Sequence, residues 1–265
     1  MGVLNVTPDS FSDGGRYLDP LQAVDHAQRM IAEGALIIDI GGESTRPGAE
    51  AVDVMEELRR VIPVVEALAK CTQVLLSVDT SSPEVMERAV AVGAGMINDV
   101  RALGRAGAIA AVVSTGAAVC LMHMRGEPAT MQQDIHFQDV GVEVSAVLAR
   151  RMKECQSAGI DGECMCVDPG FGFGKLAVHN LALLRDLAKL QSLGRPVLVG
   201  LSRKSILKTL TGRDREQRLA GSIALATAAV LNGASIVRAH DVAATVDAVR
   251  VAAAVRQQNP LTPLG

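Results

Sequence analysis

The sequence predicts an α/β fold, a (β/α)8 TIM barrel spanning residues 1–265 as a single domain. Three observations carry the prediction. Eight aliphatic runs each stop at a polar residue or short polar cluster, and segments of helical periodicity lie between them. Parallel strands buried on both faces read as such runs. The chain has 265 residues, close to the ~250 of one such barrel. Hydrophobic residues make up 49% but aromatics only 2%, so the core is Val, Ile, Leu, Ala and Met, which suits barrel layers of branched aliphatics.

In chain order, the first strand is Leu4-Asn5-Val6-Thr7. A long connection holding Pro8, Asp9, Ser10, Phe11, Ser12, Asp13, Gly14 and Gly15 leads to a helix opened by Pro20 and ended by Gly34. Leu36-Ile37-Ile38-Asp39-Ile40 is the second strand, followed by Gly41-Gly42-Glu43-Ser44-Thr45-Arg46-Pro47-Gly48 and an amphipathic helix over 53–70. Val74 to Asp79 is the third, and Ser82-Pro83 opens the next helix, with Ser82 available as its cap. Met96-Ile97-Asn98-Asp99 precedes a short helix over 106–113. Val119-Cys120-Leu121-Met122-His123 precedes one over 140–158. Met165-Cys166-Val167-Asp168 runs into a glycine loop and a helix from about Asn180 to Leu193. Val197-Leu198-Val199-Gly200 leads to Ser202-Arg203-Lys204-Ser205, a short helix from Ser205 and a longer one over 216–232. Ile236-Val237-Arg238-Ala239-His240 closes the set, and Asp241 caps a last helix to about Arg256, with 257–265 a frayed end.

Composition narrows the function. Net charge is −3, from 26 basic and 29 acidic residues, so there is no electrostatic footprint for nucleic acid or an anionic membrane. No apolar run approaches the ~18 residues of a membrane span, and no secretory signal is read at Met1, which together predict a cytoplasmic protein. The five cysteines contain no Cys-x-x-Cys pair. Cys164 and Cys166 would share a strand face, and reduced, buried thiols are the expectation.

In this fold the strand C-termini build the active site. Asp79, Asn98 and Asp168 end strands three, four and six. Carboxylates accept from ring N–H and exocyclic amine groups while an amide both accepts and donates, so the three can line the edge of a flat pyrimidine-like or pterin heterocycle. The plainer role for each is helix capping. Ser202-Arg203-Lys204-Ser205 sits where strand seven meets a helix, and two adjacent cations at a helix start favour phosphate or carboxylate. Arg238 and His240 alternate on strand eight and face one side; loops after strands seven and eight often form the phosphate site of a barrel. Asn5 offers an amide oxygen to Mg²⁺, which takes few protein ligands. Gly172-Phe173-Gly174-Lys175-Leu176-Ala177 formally matches a dinucleotide fingerprint. It neither follows its strand at once nor meets an acidic ribose partner on the next one. A flexible glycine loop with Phe173 near a ligand fits better.

These residues resemble bacterial dihydropteroate synthase over the full length. The matching stretches run from Met1 to Gly15, Gly41 to Gly48, Ser77 to Thr80, Ile97 to Val100, Met122 to Met124, Asp168 to Lys175, Leu201 to Ser205 and Arg238 to Asp241. The resemblance implies a barrel that joins p-aminobenzoate to 6-hydroxymethyl-7,8-dihydropterin diphosphate. Carried over, the pterin is held by Asp79, Asn98, Asp168 and Lys204, with Met122 in its pocket and Arg238 stacked over it; Asp79, Asp168 and Lys204 are the catalytic set. The diphosphate meets Asn5, Thr45, Arg46, Arg238 and His240, with Mg²⁺ at Asn5. The p-aminobenzoate lies among Phe11, Pro47, Phe173, Lys204 and Ser205. A homodimer is also implied. The family carries a short stretch ahead of strand one, often a hairpin over the barrel floor, and this sequence starts inside that strand. A corrinoid-dependent pterin methyltransferase would share the Asp/Asn/Asp logic without needing the anion site. A non-catalytic pterin-binding paralogue would keep the pocket without turnover.

Overall fold

The computed structural model describes residues 1–7, 20–44, 52–126, 130–131 and 135–256. Six parallel strands pair in sequence order: β1 (Gly2–Asn5), β2 (Ile37–Gly41), β3 (Leu75–Asp79), β4 (Met96–Asp99), β5 (Ala118–Met122) and β6 (Met165–Asp168). β7 (Leu198–Val199) and β8 (Ile236–Val237) pair with each other. Two single bridges close the ring, Val167 to Val197 and Gly2 to Ala239. The amide of Val167 donates to Pro196 O at 3.0 Å, and that of Ala239 to Met1 O at 2.9 Å. The barrel has its eight strands, but the last two are shorter than the aliphatic runs suggest. Backbone pairing continues through Arg238 and Ala239, and at the next residue a side chain takes over: the His240 amide donates to the Ser202 hydroxyl at 3.2 Å.

Strand residues alternate between two environments. Leu4, Ile38, Ile40, Val78, Ile97, Val119, Leu121 and Val167 are fully or almost fully buried in the layer shared with the helices. Each such side chain stabilises the fold by about 1.5–3 kcal/mol. Met96, Cys120, Cys166 and Leu198 form a separate apolar layer inside the barrel. Asp39, Ser77 and Asn98 on β2, β3 and β4 are buried beside that layer, and Asp79 ends β3, so this part of the interior is polar.

The helices are α1 (Pro20–Ala32), α2 (Val54–Cys71), α3 (Pro83–Ala91), α4 (Ala108–Thr115), α5 (Val140–Ser157), α6 (Ala177–Arg185), α7 (Ser205–Thr211), α8 (Leu219–Leu231) and α9 (Val242–Arg256). Three details depart from the sequence expectation. Ser82 precedes α3 but its hydroxyl donates to Glu84 at 2.9 Å; Thr80 Oγ1 accepts the Ser82 amide instead. α6 starts at Ala177, because His179 Nδ1 accepts the Leu176 amide and frees Asn180 for another task; a 3-10 segment, Leu187–Leu193, completes the span. The helix expected over 216–232 is a 3-10 turn, Arg215–Gln217, and then α8. Arg218 lies between them, its guanidinium drawn to the Arg213 and Arg203 carbonyls at 3.0 Å each. Among the described residues no helix is long and apolar enough to cross a membrane.

Candidate active site

The polar interior is one connected network. Asp39, fully buried on β2, accepts from the Ser77 hydroxyl at 2.7 Å, Asn98 Nδ2 at 3.0 Å and Arg238 Nε at 2.5 Å. Arg238 Nη2 reaches Asp79 at 2.9 Å. Strand register explains the proximity, since Asp39 pairs with Ser77 and Asp79 with Asn98. A carboxylate so deep is tolerable only when paired and hydrogen-bonded. The sequence reading passed over Asp39. Its signal was there, as the one charge inside the aliphatic run Leu36 to Ile40. Burial pushes the Asp79 carboxyl up to about 7; Arg238 pulls it down and Asp39 and Asp99 push it further up. Asp99 itself points elsewhere. It accepts from the Ser81 hydroxyl and the amides of Arg101 and Leu103, and so bends the loop after β4 through positive φ at Ala102 and Leu103.

At the end of β6, Asp168 is buried, its carboxyl raised by that burial although the Gly170 amide, 2.7 Å away, favours the charge. The glycine loop that follows is tied by hydrogen bonds to two buried side chains, Asn180 and Lys175. Gly170, Gly172 and Gly174 have φ of 68°, 84° and 63°, a region open to glycine. The Gly172 amide donates to Asn180 Oδ1 at 2.8 Å. Lys175, also buried, donates to Gly170 O and Phe173 O at 3.0 Å each and lies 2.9 Å from His123 Nδ1. Sequence reasoning assigned Lys175, His123 and Asn180 no role. Phe173 joins Val100, Met122 and Met131 in an apolar wall beside Asp168, to which Met122 is the register partner.

The end of β7 separates the two cations that the sequence set side by side. Arg203 adopts φ 57°. Its amide donates to the Ser222 hydroxyl at 2.9 Å, and its guanidinium grips Asp241 at 2.5 and 3.0 Å. Arg203 is therefore turned outward, a correction to the paired-cation reading. Lys204 faces the mouth, its ammonium 4.2 Å above the Phe173 ring, a distance at which the ring face attracts it. Burial lowers the Lys204 ammonium to about 8, with Arg238 adding to the fall and Asp168 and Asp79 opposing it. Ser205 is exposed at the first position of α7. His240 Nδ1 lies 3.0 Å from the Ser202 hydroxyl. Burial, helped by Arg238 and Arg203, brings the imidazole down to about 3, so it is neutral and acts as a hydrogen-bonding group, not a cation.

Asn5 ends β1, half-buried, opposite Gly41. Phe11, Thr45, Arg46 and Pro47 lie outside the described residues. Among the described residues no cluster of three or more His, Cys, Asp or Glu is placed to hold a metal. A single amide oxygen suits only a cation that draws its other ligands from water and a substrate diphosphate, which is the habit of Mg²⁺.

Comparison with known proteins agrees with this geometry. The family model described as pterin binding enzyme matches residues 1–240. The dihydropteroate synthase of Escherichia coli K12 is 53% identical over 251 residues, covering 95% of this chain and 89% of that one. The dihydropteroate synthase of Xanthomonas albilineans solved with 4-aminobenzoic acid superposes with a TM-score of 0.91 at 53% identity, covering 99% of this chain and 93% of that one. The same organism's enzyme in complex with 7,8-dihydropteroate gives 0.87 at 50% identity, with the same coverage. The chain belongs to the pterin-binding enzymes and, within them, to the dihydropteroate synthases.

Proposed function

We propose that this protein joins p-aminobenzoate to 6-hydroxymethyl-7,8-dihydropterin diphosphate, forming 7,8-dihydropteroate and releasing pyrophosphate. The observation that carries the reading is the buried network of Asp39, Asp79, Asn98 and Arg238 beside Asp168. Its acceptors and amide suit the donor edge of a pterin. Asp79, Asn98, Asp168 and Lys204 hold that ring, Met122 packs against it and Arg238 stacks over it. The diphosphate lies toward Arg238 and His240, with Asn5, Thr45 and Arg46. Phe11, Pro47, Phe173, Lys204 and Ser205 surround p-aminobenzoate.

The reaction breaks a C–O bond at the methylene on the dihydropterin. Loss of diphosphate leaves a ring-stabilised cation, which Asp79 and Asp168 favour. At an effective dielectric of ~20, a carboxylate ~4 Å from a unit charge contributes about 4 kcal/mol, roughly a thousandfold in rate. The amine of p-aminobenzoate then attacks, and its proton leaves to solvent or pyrophosphate. Mg²⁺ bound at Asn5 and the diphosphate would neutralise charge on the leaving group. Arg238, already between two carboxylates, orients the ring and the first phosphate. Binding is ordered, with p-aminobenzoate second, because little holds it until the pterin and pyrophosphate are in place. The protein works in the cytoplasm as a homodimer.

A two-substrate assay tests the reading. Pyrophosphate should appear only when the pterin diphosphate, p-aminobenzoate and Mg²⁺ are all present. Pyrophosphate release without p-aminobenzoate, or none under any condition, would sink it.

A further inference from the structure

We propose that Lys175 and His123 are a positioning pair for the second substrate, fixing the glycine loop so that Phe173 stands as a wall of the p-aminobenzoate site. The proposal rests on the reading of Phe173 given above.

A lysine side chain only 3% exposed is unusual. Among the described residues no carboxylate forms an ion pair with it. Its Nζ, lowered by burial to about 7, instead has three acceptors at 2.9–3.0 Å: His123 Nδ1, Gly170 O and Phe173 O. A fourth acceptor, His123 O, lies at 3.3 Å. Two of the three close acceptors are carbonyls of the glycine loop; the third belongs to the end of β5. Nζ thus bolts the loop after β6 to the loop after β5. Nδ1 can accept only if the imidazole is neutral and carries its proton on Nε2. Burial, with the Lys175 charge beside it, keeps the ring neutral.

The loop has no slack to place Phe173 otherwise. A Cβ on Gly170 would lie 1.9 Å from His123 O, and one on Gly174 2.6 Å from Arg125 O. The Phe173 amide donates back to Gly170 O at 3.1 Å. The loop carries two phenylalanines with different destinations. Phe171 is buried in the main core, whereas Phe173 turns to the mouth under the Lys204 ammonium. What Lys175 holds is therefore the carbonyl of the residue that faces substrate. The Asp39, Asp79, Asn98 and Arg238 network shares no hydrogen bond with this pair; the link to the pterin side runs through Asp168, whose carboxylate accepts the Gly170 amide and whose carbonyl accepts the His123 amide.

The test is steady-state kinetics on Lys175→Met, varying each substrate in turn, beside Phe173→Ala. Losing the donor to three buried acceptors should raise KM for p-aminobenzoate on the order of tenfold. KM for the pterin diphosphate should rise clearly less, because that substrate meets the loop only through Asp168. A purely structural lysine would lower the active fraction or move both constants alike, and that result overturns the proposal. An unchanged p-aminobenzoate constant in folded Lys175→Met also overturns it. Should Lys175→Met fail to fold, the His123 pair decides. His123→Asn keeps an acceptor where Nδ1 stood and should behave as wild type. His123→Leu removes it and should raise the p-aminobenzoate constant clearly more than the other; if it does not, the proposal fails. Phe173→Ala separates the two levels. If it leaves p-aminobenzoate kinetics untouched, the wall itself is misplaced and the pair falls with it. If it raises that constant while Lys175→Met and His123→Leu do not, only the pair is wrong.

Discussion

The two sides of the barrel mouth are held by different means. On the side of β2, β3, β4 and β8, functional side chains hold one another: Asp39, Ser77, Asp79, Asn98 and Arg238 are hydrogen-bonded across strands. On the side of β6 and β7, buried side chains hold backbone. Lys175 and Asn180 grip the glycine loop, and Ser222 and Arg218 grip the backbone of the turn at Arg203. The difference follows from the elements. A strand fixes Cβ directions by itself, so only charge and hydrogen bonding have to be settled. A loop with positive φ at Gly170, Gly172, Gly174 and Arg203 must first have its backbone fixed. Substitutions on the first side should change stability and ligand chemistry together, and those on the second should change geometry.

The largest effect should come from Arg238→Ala. It leaves Asp39 buried without its cation, and breaking a buried pair in this way costs about 3–5 kcal/mol. A urea titration should show a much lower midpoint with an unchanged slope. Adding Asp39→Asn should recover part of the loss. In protein that remains folded, the pterin diphosphate should lose far more affinity than free hydroxymethyl-pterin. A wild-type midpoint for Arg238→Ala would show that the strand side is not held by its own side chains. Equal losses of both ligands would make Arg238 a stacking residue and not a phosphate clamp.

Legibility in the sequence divides along the same line. The strands were readable because aliphatic runs report burial on both faces, and Asp79, Asn98 and Asp168 because they stop those runs. Asp39 was missed because a run says nothing about which residues point inward; only the register with Ser77 does. Arg203 was grouped with Lys204 by adjacency. A left-handed φ at a non-glycine residue leaves no mark in composition, and it turns one cation outward. Lys175 was read as part of a formal glycine fingerprint, and its acceptors, on His123, Gly170 and Phe173, come partly from a loop some fifty positions away, |i−j| = 52. β8 was read to His240, but there the amide turns to a side chain, the Ser202 hydroxyl.

The loop side is broken most directly at Arg203. Arg203→Ala removes a bidentate pair to Asp241 and keeps the αL cost of about 1–2 kcal/mol. Arg203→Gly removes the same pair but not that cost. Both partners are partly exposed, so solvent screens the pair and its contribution is at the modest end. KM for p-aminobenzoate should rise about fivefold to tenfold in Arg203→Ala and less in Arg203→Gly. Equal values for the two would mean that backbone conformation at this turn does not matter.

A smaller effect should appear with pH. Burial holds the Asp79 carboxyl at about 7 in the empty site. Pterin N–H donors favour the carboxylate, so binding lowers that value and the complex carries fewer protons than the free protein. Affinity should therefore rise with pH up to about 7 and level off above, falling by at most about tenfold per unit below. Calorimetry between about pH 5.5 and 7.5 in buffers of different ionisation enthalpy reads the released proton directly. Proton uptake, or affinity flat across this range, would remove Asp79 from the ring contact.

The smallest effect should come from Ser205→Ala, compared with Lys204→Ala one residue away. Lys204 turns its ammonium to the mouth over Phe173, near Asp168 and Asp79; its loss should damage pterin binding and turnover together. Ser205 is exposed at the start of α7, where its hydroxyl and amide can both bond the p-aminobenzoate carboxylate. Alanine keeps the amide, and one hydrogen bond is worth about 1 kcal/mol. The apparent constant for p-aminobenzoate should therefore rise by no more than about tenfold, with the pterin constant unmoved. If Ser205→Ala raised the pterin constant and spared p-aminobenzoate, the second substrate would lie elsewhere. The loop side of the mouth would then be positioning the first substrate as well.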